Sequence, residues 1–265
     1  MIRRERPQSE FPELIVTVPD SWPVIQLAPL YDVHIGNPTF DQALFDEHLC
    51  WIADEPHVLT WNGGDLIENA NKLSVGNGVT DQTLNPEEQI DVAQLYLQPI
   101  LPKMLFSLPG NHEQRADQLG FSLAKWMAKD MGIPFFPDYC FCTIKWKGNN
   151  FRILAHHGSG AATTAGAQRM AARKAVAWAK VFDLYWTGHL HNPLIDILAQ
   201  TDYDQRTGRM YERDALVVIS PSYVRYFASY AATKQYPLGT RGLGVVELRP
   251  NGTMVASTHA RGRRL

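Results

Sequence analysis

Short apolar runs of strand length alternate along this chain with longer stretches of helical periodicity. Residues 24–28, 57–61 and 104–107 have the composition of buried strands. Between the last two, Asn85, Pro86 and the acids that follow have the residue types of a helix N-cap and first turn, which predicts a helix over 85–97. This alternation predicts an α/β or mixed α+β fold.

The second half of the chain continues the pattern and becomes richer in strands. The spacing predicts helices over 119–131 and 165–180, and a β-hairpin of 140–146 with 151–155 that places Cys140 and Cys142 in the core. Further strands are predicted at 182–186, 194–199, 215–219, 244–248 and 253–257. Residues 68–84 lack periodicity and form a long predicted loop. Because no repeat or low-complexity linker divides the chain, we expect a single domain over 1–265.

Charge and cysteine content exclude several classes of protein. With 25 Lys and Arg against 27 Asp and Glu, the formal net charge is −2, which disfavours binding to nucleic acid or an anionic membrane by bulk charge. Three cysteines without a CxxC pair favour a reducing compartment over a disulfide framework. Since no apolar stretch approaches 18 residues, we expect a cytoplasmic protein without a membrane span. The sequence assigns no oligomeric state.

Five short polar motifs follow predicted strands, where α/β proteins commonly place ligand sites. They are Asp32-Val33-His34, Gly63-Gly64-Asp65, Gly110-Asn111-His112-Glu113, His156-His157-Gly158 and Gly188-His189-Leu190-His191. Each is weak alone, because an Asp-x-His or a Gly-Gly-Asp also occurs in ordinary turns. Together they supply carboxylate and amide oxygens with imidazole nitrogens, a mixture that suits Mn, Fe or Zn better than Ca. Two Asp, one Asn and four of the nine histidines would give seven ligands, enough for two metal ions if one carboxylate bridges them.

In the order and spacing of these motifs, residues 24–192 resemble the calcineurin-like metallophosphoesterase superfamily. The resemblance implies a four-layer sandwich of two mixed β-sheets flanked by helices. It also implies that one metal is held by Asp32, His34 and His191, the other by Asn111, His156 and His189, and that Asp65 bridges them. The sequence does not decide between the adjacent His156 and His157, and we favour His156 because it comes first after the strand.

The resemblance implies a phosphoesterase that acts on a phosphate monoester or diester. Two divalent ions, with Mn favoured and Fe or Zn as alternatives, would clamp the phosphate and generate a bridging hydroxide that attacks phosphorus. His112 would contact the phosphate and protonate the leaving group. Arg115 would reach the phosphate or be solvated, and Glu113 would complement a helix dipole or orient a ligand. Residues 158–164 form either a mobile wall of the site or a plain loop.

Three other functions compete with this one. A family member without catalysis would be a binding scaffold, but such proteins usually lose ligands, and none is lost here. A nuclease stays open because arginines occur near both ends of the chain: Arg3, Arg4, Arg6, Arg261, Arg263 and Arg264. An amidohydrolase would carry His-x-His on its first strand, whereas here that motif comes late. No G-x-S-x-G, H-E-x-x-H or phosphate-binding P-loop motif is present.

Overall fold

The computed structural model describes residues 2–72, 74, 79–225, 227 and 239–259. Within these residues the strands are β1 (Arg3–Glu5), β2 (Glu13–Thr17), β3 (Ile25–Leu27), β4 (Val58–Asn62), β5 (Met104–Ser107), β6 (Tyr139–Trp146), β7 (Asn149–His156), β8 (Leu184–Thr187), β9 (Leu194–Asp204), β10 (Arg209–Ile219), β11 (Leu243–Leu248) and β12 (Met254–His259). The α-helices are α1 (Gln42–Asp54), α2 (Pro86–Leu97), α3 (Leu123–Asp130) and α4 (Ala165–Trp178). Three 3₁₀ segments cover Val79–Asp81, Gln98–Lys103 and Glu113–Leu119.

The strands form two mixed sheets. The larger has seven strands in the order β1-β2-β6-β7-β8-β10-β9, and the smaller has five in the order β12-β11-β3-β4-β5. In the smaller sheet β3, β4 and β5 run parallel, and in the larger sheet β7, β8 and β10 run parallel. The carboxyl ends of these parallel strands are therefore available to build a site.

The two sheets pack face to face through a shared core. Alternating residues of β6 and β7 point inward from the larger sheet and meet apolar side chains of β3, β4 and β5. Large aromatic residues fill the centre, where the ring of Trp61 stacks on Phe106 with centroids 5.2 Å apart and meets Trp186 edge-on at 5.3 Å. Burial of this apolar surface fixes how one sheet lies on the other.

Helices cover the outer face of each sheet. Phe45, Leu49 and Ile52 of α1, with residues of α2 and α3, pack on the smaller sheet. Ala172 and Val176 of α4 pack on the larger one. The order of layers is thus helix, sheet, sheet, helix, which confirms the predicted mixed α/β sandwich.

Most predicted elements are present, and one shifted helix boundary has a local cause. The Asn85 side chain accepts a hydrogen bond from the Glu88 N–H, and Glu88 reciprocates, so α2 begins with a complete capping box. The helix predicted from residue 119 begins at Leu123, because Gly120 has a left-handed φ of 73° and ends the preceding 3₁₀ segment. Both cysteines of β6 are buried in the core, as predicted. The prediction missed β1, β2 and α1 altogether.

None of the helices within the described residues combines the length and apolar character needed to cross a membrane.

Candidate metal centre

The polar motifs of the sequence meet at one edge of the sandwich, beyond the carboxyl ends of strands from both sheets. Asp32 and His34 follow β3, Asp65 follows β4 and Asn111 follows β5. From the larger sheet, His157 follows β7, and His189 and His191 follow β8. Three groups of these residues and their neighbours could each hold a metal ion: Asp32 with His34 and His191, Asp65 with His34 and His112, and Asp65 with His157 and His189.

The backbone at these residues adopts a conformation that side chains rarely tolerate. Asp32, His34, Asp65, His189 and His191 all have positive φ, between 51° and 67°. Each such residue costs on the order of 1 kcal/mol or more, and this kind of strain is concentrated at functional sites. Backbone bonds from the Asp32 N–H to the Gly64 carbonyl at 3.1 Å, and from the His34 N–H to the Asp65 carbonyl at 3.0 Å, tie the strained loops together.

The first group gathers three donor atoms around a small space. The Nε2 atoms of His34 and His191 lie 3.1 Å apart, and His191 Nε2 is 3.4 Å from Asp32 Oδ1. Two nitrogens bound to one transition metal at about 2.1 Å would be separated by roughly 3.0–3.4 Å. The observed nitrogen separation therefore has the length of one edge of a coordination polyhedron.

The group of Asp65, His157 and His189 is built around His157. Its Nε2 lies 3.3 Å from Asp65 Oδ2 and 3.2 Å from Asn111 Oδ1. The other ring nitrogen, Nδ1, is 2.9 Å from the Gly63 carbonyl oxygen, which fixes the orientation of the ring. The His189 ring is 5.3 Å from that of His157, centroid to centroid.

Asp65 lies between the group of Asp32, His34 and His191 and the side chains around His157. Its Oδ1 accepts the backbone N–H of His112 at 2.8 Å. Its Oδ2 faces the Nε2 atoms of three histidines, at 3.3 Å from His157, 3.8 Å from His112 and 3.9 Å from His34. One carboxylate thus has one oxygen held in place and the other directed toward both groups.

The residues present fit divalent metal ions. Asp32 is fully buried, and its Oδ1 has no hydrogen-bond partner among the described residues. A buried carboxylate oxygen without a partner is costly unless a cation satisfies it. The mixture of carboxylate, amide and imidazole donors is that of Mn, Fe or Zn sites, although this chemistry does not distinguish among the three.

The structure places His157 beside Asp65, whereas the sequence analysis favoured His156 as the ligand. β7 ends at His156, whose Nδ1 accepts the backbone N–H of Gly158 at 2.8 Å. His156 belongs to none of the three groups, whereas His157 is 6% exposed and points between the sheets. Adjacent residues at a strand end face opposite sides of the sheet, so only one of the two can reach the site.

His112 and Arg115 form a pair at the rim of the site. His112 Nδ1 lies 2.6 Å from the Glu68 carbonyl oxygen, so this nitrogen donates and Nε2 is left to accept. Arg115 Nη2 donates to that Nε2 at 3.0 Å, and its Nη1 donates to the Glu68 carbonyl at 2.8 Å. Burial lowers the pKa of His112 to about 4, so its imidazole is neutral at pH 7 in the metal-free protein.

Glu113 holds two ligand-bearing loops together, a role that the sequence only partly indicated. Its Oε1 accepts the N–H groups of Leu66 at 2.7 Å and Ile67 at 3.2 Å. Its Oε2 accepts those of Asp65 at 3.0 Å and Gly110 at 2.8 Å. The loop carrying Asp65 and the loop carrying Asn111 are therefore joined through one buried carboxylate.

Glu68 is a residue that the sequence analysis missed. Its Oε2 lies 3.1 Å from His34 Nδ1 and accepts the Asn37 side-chain N–H at 2.9 Å. A carboxylate on the far nitrogen of a ligand histidine is a common supporting contact at metal sites. Its position three residues after Asp65 was the available signal, but it falls in the segment interpreted only as loop.

The carboxylates shift the pKa values of His34 and His157, two of the candidate ligands, in the metal-free protein. Burial disfavours protonation of His157, but the charge and hydrogen bond of Asp65 outweigh it and raise the pKa to about 10. Burial also opposes protonation of His34, whose hydrogen bond to Glu68 and nearby carboxylate charges raise its pKa to about 9. The site thus holds protons where metal ions would bind.

Several other candidate residues lie apart from this cluster. Arg3 pairs with Glu5, Arg4 donates to the Pro102 carbonyl and Arg6 lies over the Phe136 ring. Arg261, Arg263 and Arg264 lie outside the described residues. His48 is buried and its Nδ1 lies 2.9 Å from the Tyr223 hydroxyl, away from the site.

Comparison with known proteins finds matches of low similarity among solved structures. No protein-family model and no curated protein sequence matches the chain. Among solved structures, one match is a conserved uncharacterized protein from Streptococcus pneumoniae, described as a predicted phosphoesterase. The two are 12% identical over 90% of this chain and 100% of that one, with a TM-score of 0.38.

A protein of unknown function from Aquifex aeolicus also matches. It is 16% identical over 63% of this chain and 80% of that one, with a TM-score of 0.32. At these TM-scores neither likeness indicates a function for this chain.

Proposed function

We propose that this protein is a metal-dependent phosphoesterase with a two-metal centre. The observation that carries the proposal is the position of Asp65, whose Oδ2 faces His34 on one side and His157 on the other. The first ion would be held by Asp32, His34 and His191, and the second by Asn111, His157 and His189, with Asp65 shared. Two divalent cations supply Lewis acidity toward a phosphoryl oxygen and lower the pKa of bound water.

The protein's own residues would orient and hold these ligands. Glu68 and the Gly63 carbonyl hold the imidazoles of His34 and His157 through their Nδ1 atoms. Glu113 keeps the Asp65 and Asn111 loops at a fixed separation. Such preorganisation keeps the donor atoms in place before substrate arrives.

Arg115 and His112 would act on the ester itself. A phosphate oxygen is a stronger acceptor than an imidazole, so it would take the Arg115 N–H that His112 Nε2 now accepts. This exchange frees His112 Nε2 to carry a proton to the departing alkoxide. Burial lowers the pKa of His112 in the metal-free protein, so Nε2 would take up a proton from solvent only once the ester is bound beside it.

Metal analysis and a substrate comparison test the proposal together. Protein saturated with Mn²⁺ and then desalted should contain close to two metal ions per chain by elemental analysis. Asp65→Asn should lose metal and activity, whereas His112→Asn should keep the metal and lower kcat. A His112 variant that loses metal would show that a ligand has been misassigned.

Activity should be compared on an aryl phosphate monoester, an aryl phosphate diester and single-stranded DNA, each with Mn²⁺. Hydrolysis of an ester that is abolished in Asp65→Asn supports the proposal. A metal stoichiometry of zero refutes the site, and inertness toward all three substrates in a metal-loaded protein favours a binding scaffold instead.

A further inference from the structure

A cavity of about 570 Å³ lies beside the candidate metal centre, on the other face of the larger sheet. It opens between α4 and the ends of β7 and β8. Its floor is formed by the buried side chains of Leu154, Ala172 and Thr187. Its volume is in the range of about 300–1,000 Å³ that is typical of small-molecule sites.

The chemistry of the cavity walls is aromatic at the side and polar at the mouth. Tyr139 and Trp178 form one wall, with ring centroids 5.3 Å apart, and Trp178 is 57% exposed. At the mouth, Asp138 offers an acceptor and Lys174 a donor. A planar ring that carries hydrogen-bonding groups on its edge would use both features, whereas an alkyl chain would use only the apolar wall.

The helix contributes room as well as contacts. Ala171 lies three and four residues before Lys174 and Ala175, and Trp178 lies four and three residues after them; all four line the cavity, so they share one face of α4. The two alanines leave the space, and the tryptophan closes one end of it.

Two glycines of the cavity wall lie directly against residues of the candidate metal centre. Gly188 lines the cavity, and a Cβ on it would lie 2.5 Å from Asp32 Oδ2. Gly158 also lines it, and a Cβ there would lie 2.9 Å from His189 Cβ. The two adjacent histidines at the end of β7 lie on opposite sides of this boundary. His156 lines the cavity, and His157 belongs to the ligand cluster.

We propose that this cavity binds the nucleobase of a nucleotide ester whose phosphate lies at the metal centre. This inference rests on the proposed function for its link to catalysis. The ring would pack on Tyr139 and Trp178, with its polar edge toward Asp138 and Lys174. An ester without a base would bind only through its phosphate, so the cavity would set the preference for nucleotides.

Binding of adenosine to metal-free protein tests the cavity without any turnover. Calorimetry should show saturable adenosine binding to the wild type and no saturable binding of ribose. Ala175→Trp fills the cavity and should weaken adenosine binding at least tenfold. Ala177→Trp places the same side chain at an exposed position of α4 outside the cavity, and should bind adenosine like the wild type.

A second variant tests the cavity independently in case Ala175→Trp does not fold. Trp178→Ala removes an exposed aromatic wall and should also weaken adenosine binding, with metal stoichiometry unchanged. In the loaded enzyme, the ratio of kcat/KM for adenosine 5′-monophosphate to that for ribose 5-phosphate should fall at least tenfold in Ala175→Trp and stay unchanged in Ala177→Trp.

Three results would overturn the proposal: no saturable adenosine binding to the wild type, equal binding by Ala175→Trp and the wild type, or a preference for phenol over adenosine. Failure of the proposed function has a different signature, because a wild-type protein that takes up no metal and hydrolyses no ester can still be tested for adenosine binding.

Discussion

Glu113 offers a direct test of whether one buried carboxylate fixes the positions of the loops that carry Asp65 and Asn111. We consider Glu113→Gln, which keeps the shape of the side chain and replaces one oxygen by an amide NH₂. Each Glu113 oxygen now accepts two backbone N–H groups, at 2.7–3.2 Å. Whichever way the amide turns, two of these N–H groups would face a donor instead of an acceptor.

The expected loss follows from the number of bonds removed. A hydrogen bond to a charged group contributes about 1.5–3 kcal/mol, so the loss of two such bonds should lower the free energy of unfolding by about 3–6 kcal/mol. Because the displaced groups belong to Asp65 and Gly110 or to Leu66 and Ile67, the Asp65 loop should shift in either case. Metal affinity should then fall by about 10–100-fold, as for other residues that orient ligands.

Two measurements are needed. The first is urea unfolding of metal-free protein in excess chelator, and the second is titration of the folded protein with Mn²⁺ after the chelator has been removed. The chelator matters because bound metal would itself stabilise the folded state. Glu87→Gln is the matched control, since Glu87 lies exposed in the first turn of α2 and should change stability by less than about 0.5 kcal/mol. A Glu113→Gln protein within 1 kcal/mol of the wild type, with unchanged metal affinity, would refute this reasoning.

Three further predictions concern other parts of the chain. His157→Ala should lose one of two bound metal ions, whereas His156→Ala should keep both by elemental analysis; the opposite result would restore the sequence-based choice. Metal binding at pH 7.5 should release protons, measured by calorimetry in two buffers of different ionisation enthalpy, because His34 and His157 have pKa values of about 9 and 10 and must become neutral. Affinity should therefore rise with pH up to that range, and binding without proton release would contradict it. Lys103→Met should lower the free energy of unfolding in urea by about 1–3 kcal/mol. The reason is that the Lys103 ammonium donates to three carbonyl oxygens at the end of α1, those of Ile52, Ala53 and Glu55. An unchanged unfolding midpoint would show that water replaces the ammonium at these carbonyls without cost.

The elements that the sequence predicted are those with a strong local signal. The capping residues of α2 and the alternation in β6 each act within a few residues, so they can be read without knowing the fold. The missed helix α1 lacks such a signal at its start, where Asp41 makes no side-chain cap bond. Its apolar residues Phe45, Leu49 and Ile52 gain their stability from the sheet beneath them.

The β9–β10 hairpin shows a second limit. Strand β9 was predicted to end at residue 199 but continues to Asp204, and β10 begins at Arg209 rather than 215. The added residues are polar or exposed, so no apolar run marks them. They remain paired because each strand supplies the other's backbone partners, as in the pairs Thr201 with Glu212 and Asp202 with Tyr211.

The residues of the candidate site could be named from sequence because they stand in short polar motifs after predicted strands, but their geometry could not be derived. Local preference argues against positive φ at Asp32, His34, Asp65, His189 and His191, so a sequence-based expectation would place these side chains elsewhere. The conformation persists because the loops are held by parts of the chain far apart in sequence. One example is the bond from the His189 N–H to Asp32 Oδ2, at 2.7 Å. The candidate ligands are therefore positioned by the packing of two sheets, and substitutions that loosen these loops should weaken the proposed metal binding before they unfold the protein.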